Sequence, residues 1–221
     1  MLPPSLQTGA LEIRGHWACV AASPTCGPAV RVFYFLMRHP SENSRSFAGQ
    51  LLVAHPNMLD PNFRRSVLFI SAHDEEDGAV GVIINRPLDK HVSELVSDNA
   101  PKALADVPVF LGGPVATDQL MFAAFDWKGG DSLRLNQDVA IEAALHLDGP
   151  ERQSIRAFVG YAGWTAGQLE KELEQHAWLL QKPDRAALAP EKLPKLWFEI
   201  MRNLGPWFKM LAAAPDDPSL N

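Results

Sequence analysis

Residues 66–85 read SVLFISAHDEEDGAVGVIIN, two apolar runs on either side of a polar loop. Short runs rich in Val, Ile, Leu and Phe, bounded by Asp and Gly, are typical of buried strands. Gly78, which follows Asp77 at the end of the loop, adopts the positive φ of a tight turn at no steric cost. The pattern predicts strands over residues 66–72 and 79–85 that pair as a hairpin.

The residues on either side of this hairpin mix strands with helices. The same apolar pattern predicts further strands over residues 47–54, 107–111, 119–125 and 155–161. Apolar spacing predicts helices around Val92, Leu95 and Val96, from an Asn136 cap to Leu147, over residues 166–179, and from Pro194 to Gly205. Because strands and helices do not alternate regularly, we expect an α+β domain with a mixed sheet.

The start of the third helix carries the clearest local signal. Thr165 and Gln168 have the spacing of a capping box, in which each side chain bonds the other residue's backbone N–H. Trp164 and Leu169 have the spacing of a hydrophobic staple. Trp164 could instead stack with Tyr161 on a base or a partner, but the staple favours a place in the core.

Composition and charge limit the function classes. The chain has 221 residues, of which 47% are apolar and 21% charged, as expected for one globular domain. Its net charge of −6 lacks the basic excess of a nucleic-acid-binding protein, so direct nucleic-acid binding is disfavoured. Both cysteines, Cys19 and Cys26, precede Met37, so no disulfide crosslinks the rest of the chain. We therefore expect a cytoplasmic protein.

The first 36 residues differ from the rest. They lack a basic start with an unbroken apolar run, which a secretory signal needs, and no stretch is long enough to span a membrane. We expect residues 1–36 to be a mis-called, disordered extension, 37–46 a flexible lead-in, 47–211 a single domain and 212–221 a frayed tail. The intact mass of protein expressed from its native locus should match a start at Met37. A species that includes residues 1–36 would contradict this expectation.

Five ordered blocks of sequence closely resemble the bacterial YqgE/AlgH family. They are GQLLVAHP (49–56) with MLDPNFRRSV (58–67), His73 with GAVG (78–81), NRPL (85–88), LGGPV (111–115), and GYAGW (160–164) with GQLEKE (167–172). The resemblance covers about residues 47–211. It implies an α+β fold in which a mixed bifurcated β-sheet includes a small closed barrel and is surrounded by helices. It also implies a cytosolic protein of unsettled activity, and some members are described as transcriptional regulators. No catalytic residues come with the family.

The segment from Asp60 to Ser66 places an acid, two guanidinium groups and a hydroxyl between two strands. Arg64 and Arg65 could fork onto a phosphate or carboxylate, with Ser66 and loop N–H groups assisting. In the alternative interpretation, Asp60 caps the turn and pairs with an arginine, while Phe63 fills the core. The sequence modestly favours the second interpretation.

Two further strand ends carry candidate site residues. Asn85 and Arg86 follow one strand, and Gly112 and Gly113 follow another, so the two could form adjacent walls of a pocket. Glycine N–H groups there could bind an anion. The alternative is two tight turns, because two glycines without a following Lys-Ser are a weak phosphate signal.

Metal and covalent chemistry find little support in the sequence. The body has no His-x-x-x-His, Cys-x-x-Cys or Glu-x-x-His spacing and no Gly-x-Ser-x-Gly elbow, so we expect no metal, no cofactor and no catalytic nucleophile. The candidate site is for a ligand or a partner, and it comprises Asp60, Arg64, Arg65, Ser66, Asn85, Arg86, Gly112, Gly113, Trp164 and Gln168.

Two functions follow from these residues. The first is a non-enzymatic binding or regulatory protein, acting through protein contacts or a small anionic ligand. The alternative is an enzyme that acts on a phosphorylated or carboxylated metabolite in a pocket containing the arginines. Arginines that converge on a concave site would favour a ligand, and arginines spread over a convex surface would favour a partner.

Overall fold

The computed structural model describes residues 46–95, 104–128, 132–136, 155–185 and 188–214. Its strands are β1 (Leu51–Ala54), β2 (Val67–Asp74), β3 (Gly78–Ile83), β4 (Pro87–His91), β5 (Pro108–Leu111), β6 (Val115–Lys128), β7 (Ser132–Asn136), β8 (Ile155–Trp164) and β9 (Trp178–Gln181). Its helices are α1 (Val92–Leu95), α2 (Gln168–Glu174), α3 (Leu196–Leu204) and α4 (Pro206–Ala212), with a 3-10 helix at Pro190–Lys195. The Met37 start, the lead-in up to residue 45, the helix expected after Asn136 and the tail from residue 215 lie outside the described residues.

The sheet divides at β8, which is long enough to pair with three strands. Residues 157–159 of β8 pair in parallel with β5, and residues 155–161 pair antiparallel with β6. Residues 162–164 pair antiparallel with β3, which continues through β2 and β1 to β9. β4 pairs with β5, and β7 with β6. This confirms the expected α+β class with a mixed, bifurcated sheet, which curls into a half-barrel with helices around it.

The predicted hairpin of β2 and β3 is confirmed. The two strands pair antiparallel from Leu68 opposite Ile83 to Asp74 opposite Gly78, with one irregularity between Ile70 and Ala72. Gly78 has a φ of 93°, in the region that favours glycine. A Cβ atom at this position would lie 2.1 Å from the carbonyl oxygen of Trp164, so the packing of the hairpin also requires a residue without a side chain there.

Both faces of the sheet are covered, as β1 illustrates. Its four residues are all buried, and alternate residues point to opposite faces. Two of them pack in the core cluster that contains Trp197 of α3, and the other two pack in the cluster that contains Leu169 of α2. The Trp197 indole also donates to the carbonyl oxygen of Ala54 at 2.8 Å. Burial on both sides explains why β1 is an unbroken apolar run.

The helix predicted over residues 166–179 is wrong in its second half. α2 ends at Glu174, His176 takes a φ of 58°, and the Ala177 N–H donates to the carbonyl oxygen of Glu172. Residues 178–181 then form β9, which pairs with β1. Leu173, Ala177 and Leu180 therefore pack against the same core cluster, although the first lies in a helix and the last in a strand.

The predicted C-terminal helix is confirmed in its position but not in its start. Pro194 lies inside the 3-10 helix, and α3 begins two residues later, buries Trp197 and ends before Gly205. Pro206 does not end the helical region, because it is the first residue of α4, a position where proline is well tolerated. Ala212, expected at the start of a frayed tail, is buried at the end of α4.

Candidate functional site

The turn between β1 and β2, which we call the arginine turn (residues 60–66), is built by Asp60. Its carboxylate accepts the Asn62 N–H at 2.8 Å, and its carbonyl oxygen accepts the N–H groups of Phe63 and Arg64. This is the Asx-type turn that aspartate favours, because its short side chain bonds its own backbone two residues on. Asp60 therefore caps the turn, as the second interpretation predicted.

The end of the arginine turn is anchored in the core. Phe63 packs against the core cluster on the α2 side, and its ring meets the Trp178 ring edge-on with centroids 5.5 Å apart. Ser66 is fully buried, and its hydroxyl donates to the Phe63 carbonyl oxygen at 2.6 Å. Ser66 therefore holds the turn in place and does not face a ligand.

Asn85 and Arg86 brace the arginine turn from the segment that follows β3. The Asn85 amide accepts the Val67 N–H at 2.7 Å and donates to the Arg65 carbonyl oxygen at 3.0 Å. The Arg86 guanidinium donates through Nη1 to the carbonyl oxygen of Asn62 and through Nη2 to that of Arg64, both at 2.8 Å. The fork geometry of arginine suits two acceptors held at a fixed spacing. The two side chains thus bind protein backbone where the anion-pocket interpretation needs them to bind a ligand.

The electrostatic setting of Arg86 fits this bracing role. Burial lowers the pKa of its guanidinium, the nearby Asp60 carboxylate opposes that shift, and Arg64 adds to it. An arginine stays charged at physiological pH all the same, because its ordinary pKa lies far above neutral pH. Hydrogen bonds from a charged donor contribute about 1.5–3 kcal/mol each, roughly twice the neutral value. The brace is therefore a strong element of local structure.

Arg65 connects the arginine turn to the C-terminal helices. It has a φ of 57°, and its guanidinium lies 5.1 Å from the Phe198 ring centroid and 5.7 Å from that of Trp197. Its Nη2 donates to the carbonyl oxygen of Ala214, just after α4, at 3.2 Å. A non-glycine residue in this region costs free energy, which the surrounding contacts must offset. Arg65 is therefore fixed on an aromatic surface.

Gly112 and Gly113 serve strand packing. The Gly112 N–H donates to the Val159 carbonyl oxygen at 2.8 Å, so it is not available to an anion. A Cβ on Gly112 would lie 2.2 Å from the Gly160 oxygen, and one on Gly113 would lie 2.2 Å from the Tyr161 carbonyl. The expected proximity of the two walls is nevertheless seen, because the Leu111 N–H donates to the Arg86 carbonyl oxygen. The N–H that an anion would need at Gly112 is therefore bonded to β8, which also fills the space beside this glycine.

Trp164 and Gln168 belong to a separate cluster at α2. Trp164 is buried with Leu169 in one core cluster, as the staple predicts. The Gln168 side-chain oxygen accepts the Thr165 N–H at 3.1 Å, which is one half of the capping box. The other half is missing, because the Thr165 hydroxyl donates to the same oxygen and the helix begins after Gly167. These two residues shape the start of α2.

Glu172 is the centre of that cluster and was not anticipated. Its Oε2 accepts the indole N–H groups of Trp164 and Trp178 at 3.0 and 2.7 Å, and its Oε1 accepts the Gln168 amide at 2.9 Å. Three donors on one carboxylate hold α2, β8 and β9 together. No sequence spacing indicates this arrangement, because Trp178 lies in β9, where the apolar spacing predicts the end of a helix.

His73 is a second polar centre, near the start of the domain. Its side chain is 1% exposed, and its Nε2 lies 2.6 Å from Oε1 of Glu170. Its Nδ1 accepts the Phe47 N–H at 3.2 Å, which requires the proton of a neutral ring to be on Nε2, facing Glu170. Both ring nitrogens are therefore engaged, and His73 tethers residue 47 to the sheet.

His55 carries a pH dependence that can be measured. Burial lowers its pKa from the ordinary value, and the nearby His176 lowers it further. Its Nδ1 accepts the Asn57 N–H at 3.2 Å, which requires an unprotonated Nδ1. A lowered pKa means that neutral His55 stabilises the fold. This contribution is fully present above the unfolded-state pKa of about 6.5 and is lost as the pH falls through the folded-state pKa.

The variant His55→Gln is therefore expected to flatten the rise in unfolding free energy between about pH 5 and pH 7. Urea unfolding across that range measures the slope. His91→Gln is the matched control, because the His91 side chain is 56% exposed. An unchanged slope in His55→Gln would contradict the assignment.

Apolar side chains are exposed close to Arg65. Phe198 is 44% exposed, Trp207 63% and Met210 57%. Trp207 and Met210 have the spacing of one face of α4, and the Arg65 side chain that lies on Phe198 donates to the Ala214 carbonyl oxygen just beyond this helix. We call Arg65, Phe198, Trp207 and Met210 the C-terminal patch. The sequence does not indicate this patch, because an amphipathic pattern does not distinguish a core face from an exposed one.

Within the described ranges, no three His, Cys, Asp or Glu side chains are grouped so that they could hold a metal ion. None of the helices formed by these residues has both the length and the apolar character needed to cross a membrane.

Comparison with known proteins agrees with the motifs. A family model described as AlgH-like matches residues 51–209. The UPF0301 protein of Streptomyces coelicolor is 38% identical over 186 residues, which cover 80% of this chain and 96% of that protein. A UPF0301 protein of Azoarcus is 40% identical over 153 residues, which cover 64% of this chain and 80% of that protein.

Solved structures agree as well. The solution structure of AlgH from Pseudomonas aeruginosa, also named UPF0301, is 30% identical with a TM-score of 0.56, covering 81% of this chain and 98% of that one. A crystal structure of protein DIP2367 from Corynebacterium diphtheriae, 22% identical, shares the fold with a TM-score of 0.56, covering 79% of this chain and 95% of that one. The chain belongs to the AlgH-like, or YqgE/AlgH, family.

Proposed function

We propose that this chain is a non-enzymatic, cytoplasmic regulatory protein that acts by binding another protein through the C-terminal patch. The observation that supports this proposal is how the polar groups of the arginine turn are used. Ser66, Asn85 and Arg86 bond the backbone of the turn itself. Phe198, which lies under Arg65, and Trp207 and Met210 of the next helix remain exposed. The motif thus builds a rigid support for an apolar surface.

The composition of the patch is typical of a protein-binding surface. Tryptophan, tyrosine and arginine dominate the residues that carry binding energy at interfaces, and methionine is enriched there. Two large aromatic side chains and a methionine are exposed on the consecutive helices α3 and α4, which favours a binding surface over the scattered apolar exposure of an ordinary surface. Regulation of transcription, which the family resemblance implies, would then work through protein contacts, in line with the net charge of −6.

Site-specific photo-crosslinking in the cells that express the protein tests this proposal. Trp207 is replaced by p-benzoyl-phenylalanine, and Leu88, which is 37% exposed on β4, is replaced in the same way as the matched control. We expect one discrete crosslinked protein from position 207 and none from position 88. The isolated partner should then bind purified wild-type protein and bind Trp207→Ala more weakly. Absence of a crosslink at 207, or equal crosslinking at 88, would contradict the proposal.

The alternative function is binding or turnover of a small anionic metabolite at the arginine turn. It is supported by the clustering of Arg64, Arg65 and Arg86 within one turn and its brace. It is opposed by the commitment of Arg86, Asn85, Ser66 and the Gly112 N–H to protein acceptors. Breaking those bonds would cost free energy that a ligand must replace, so the partner-binding function is the better supported of the two.

A further inference from the structure

We infer that the C-terminal patch recognises an acidic amphipathic segment of its partner, with apolar side chains flanked by Asp and Glu. This inference rests on the proposed function and adds the chemistry of the partner. Exposed cations accompany the exposed apolar residues of the patch along residues 195–210.

Basic residues flank Phe198 along the chain. Phe198 and Arg202 are four residues apart on one face of α3, Lys195 is the residue just before that helix, and all three are exposed. The Arg65 guanidinium lies over the same Phe198 ring. This exposed aromatic ring therefore has one cation over it and two more exposed cations three and four residues away along the chain, although the net charge of the chain is −6.

α4 continues the patch with apolar groups and one more cation. Trp207 and Met210 lie on one face, and the exposed Lys209 lies between them in sequence. The opposite side of α4 is fixed to the domain, because Phe208 meets the His55 ring with centroids 6.0 Å apart. The exposed face of α4 is thus held in position by packing and is ready to contact a partner.

The charge pattern selects among the occupants of this surface. Apolar anchors would fit beside Trp207 and Met210, and carboxylates would fit near Arg65, Lys195 and Arg202, where bidentate pairing with arginine is favourable. A second copy bound symmetrically at this patch would face its own cations, and like charges across an interface cost free energy. An acidic partner segment meets both the apolar and the cationic groups.

Selection of peptides from a random displayed library on immobilised full-length protein tests the inference. We expect enriched peptides to combine large apolar residues with Asp and Glu. A synthetic copy of an enriched peptide should bind Trp207→Ala roughly tenfold or more weakly than wild type. Its binding should also weaken severalfold in Lys195→Gln with Arg202→Gln, and at high salt. Leu88→Ala is the matched control with unchanged affinity, and thermal unfolding verifies that each variant is folded.

Several outcomes would overturn the inference. Enriched peptides that are neutral or basic, or that bind Trp207→Ala as well as wild type, would contradict recognition of an acidic segment. So would self-association in sedimentation that Trp207→Ala abolishes, binding to phosphatidylglycerol vesicles, or salt-sensitive binding of duplex DNA at the patch. A crosslink at position 207 together with non-acidic peptides would refute the partner chemistry alone. A missing crosslink would refute the proposed function itself.

Discussion

Replacing Gly78 with alanine is expected to lower the free energy of unfolding by about 3–5 kcal/mol. Two effects add at this position. An L side chain is strained at a φ of 93°, and its Cβ would lie 2.1 Å from the Trp164 oxygen and 2.8 Å from the Thr165 carbonyl carbon. Since β3 pairs with β8 there, backbone must move and ladder bonds must weaken. Urea unfolding followed by fluorescence measures the loss.

Gly167→Ala separates the two effects. Gly167 also has a positive φ, 69°, but nothing lies within 4 Å of a Cβ atom at this position. We expect it to cost only about 1 kcal/mol, from the backbone conformation alone. Equal losses in the two variants would show that the close approach of β3 to β8 does not limit the hairpin.

Arg86→Met is expected to cost about 2–4 kcal/mol and to loosen the arginine turn. The methionine keeps much of the apolar stem but removes both donors, which leaves the carbonyl oxygens of Asn62 and Arg64 without their present partner. Arg86→Lys should recover only part of the loss, because an ammonium group does not reproduce the planar fork. Urea unfolding gives the loss, and hydrogen exchange at residues 62–66 should quicken.

Lys90→Met is the control for Arg86→Met, because Lys90 is an exposed cation on the neighbouring β4. It should leave both readouts near the wild-type values, as surface substitutions usually do. If Arg86→Met also leaves stability and exchange unchanged, the brace is not a structural element, and Arg86 is again a candidate for ligand binding.

The strands with an apolar run of their own were predictable because that signal is local, whereas β4, β7 and β9 were not predicted. The β2–β3 hairpin follows from two apolar runs and an Asp-Gly turn, and it is present with the expected pairing. The end of α2 was not predictable, since β9 exists through its pairing with β1, about 125 residues away in the chain. Pro206 similarly has two meanings, a stop after one helix or the first residue of the next.

The residues of the arginine turn were predictable as a cluster of candidate site residues, but their role was not. An arginine that binds phosphate and one that binds backbone carbonyls have the same residue type and the same donors. Only the distances from Arg86 to Asn62 and Arg64 decide between them. The link between His73 and Glu170 spans 97 residues of chain, so no local pattern indicates it.

Arg65 and Arg86 are structural, and we propose that binding occurs on the surface that they support. The most direct measurement is an NMR titration of the arginine side-chain N–H signals of the full-length protein with inorganic phosphate. We expect the Arg86 signals to be protected from solvent exchange and not to shift with phosphate up to millimolar concentration. Saturable shifts shared by Arg64, Arg65 and Arg86 would show an anion site at the turn and contradict the account.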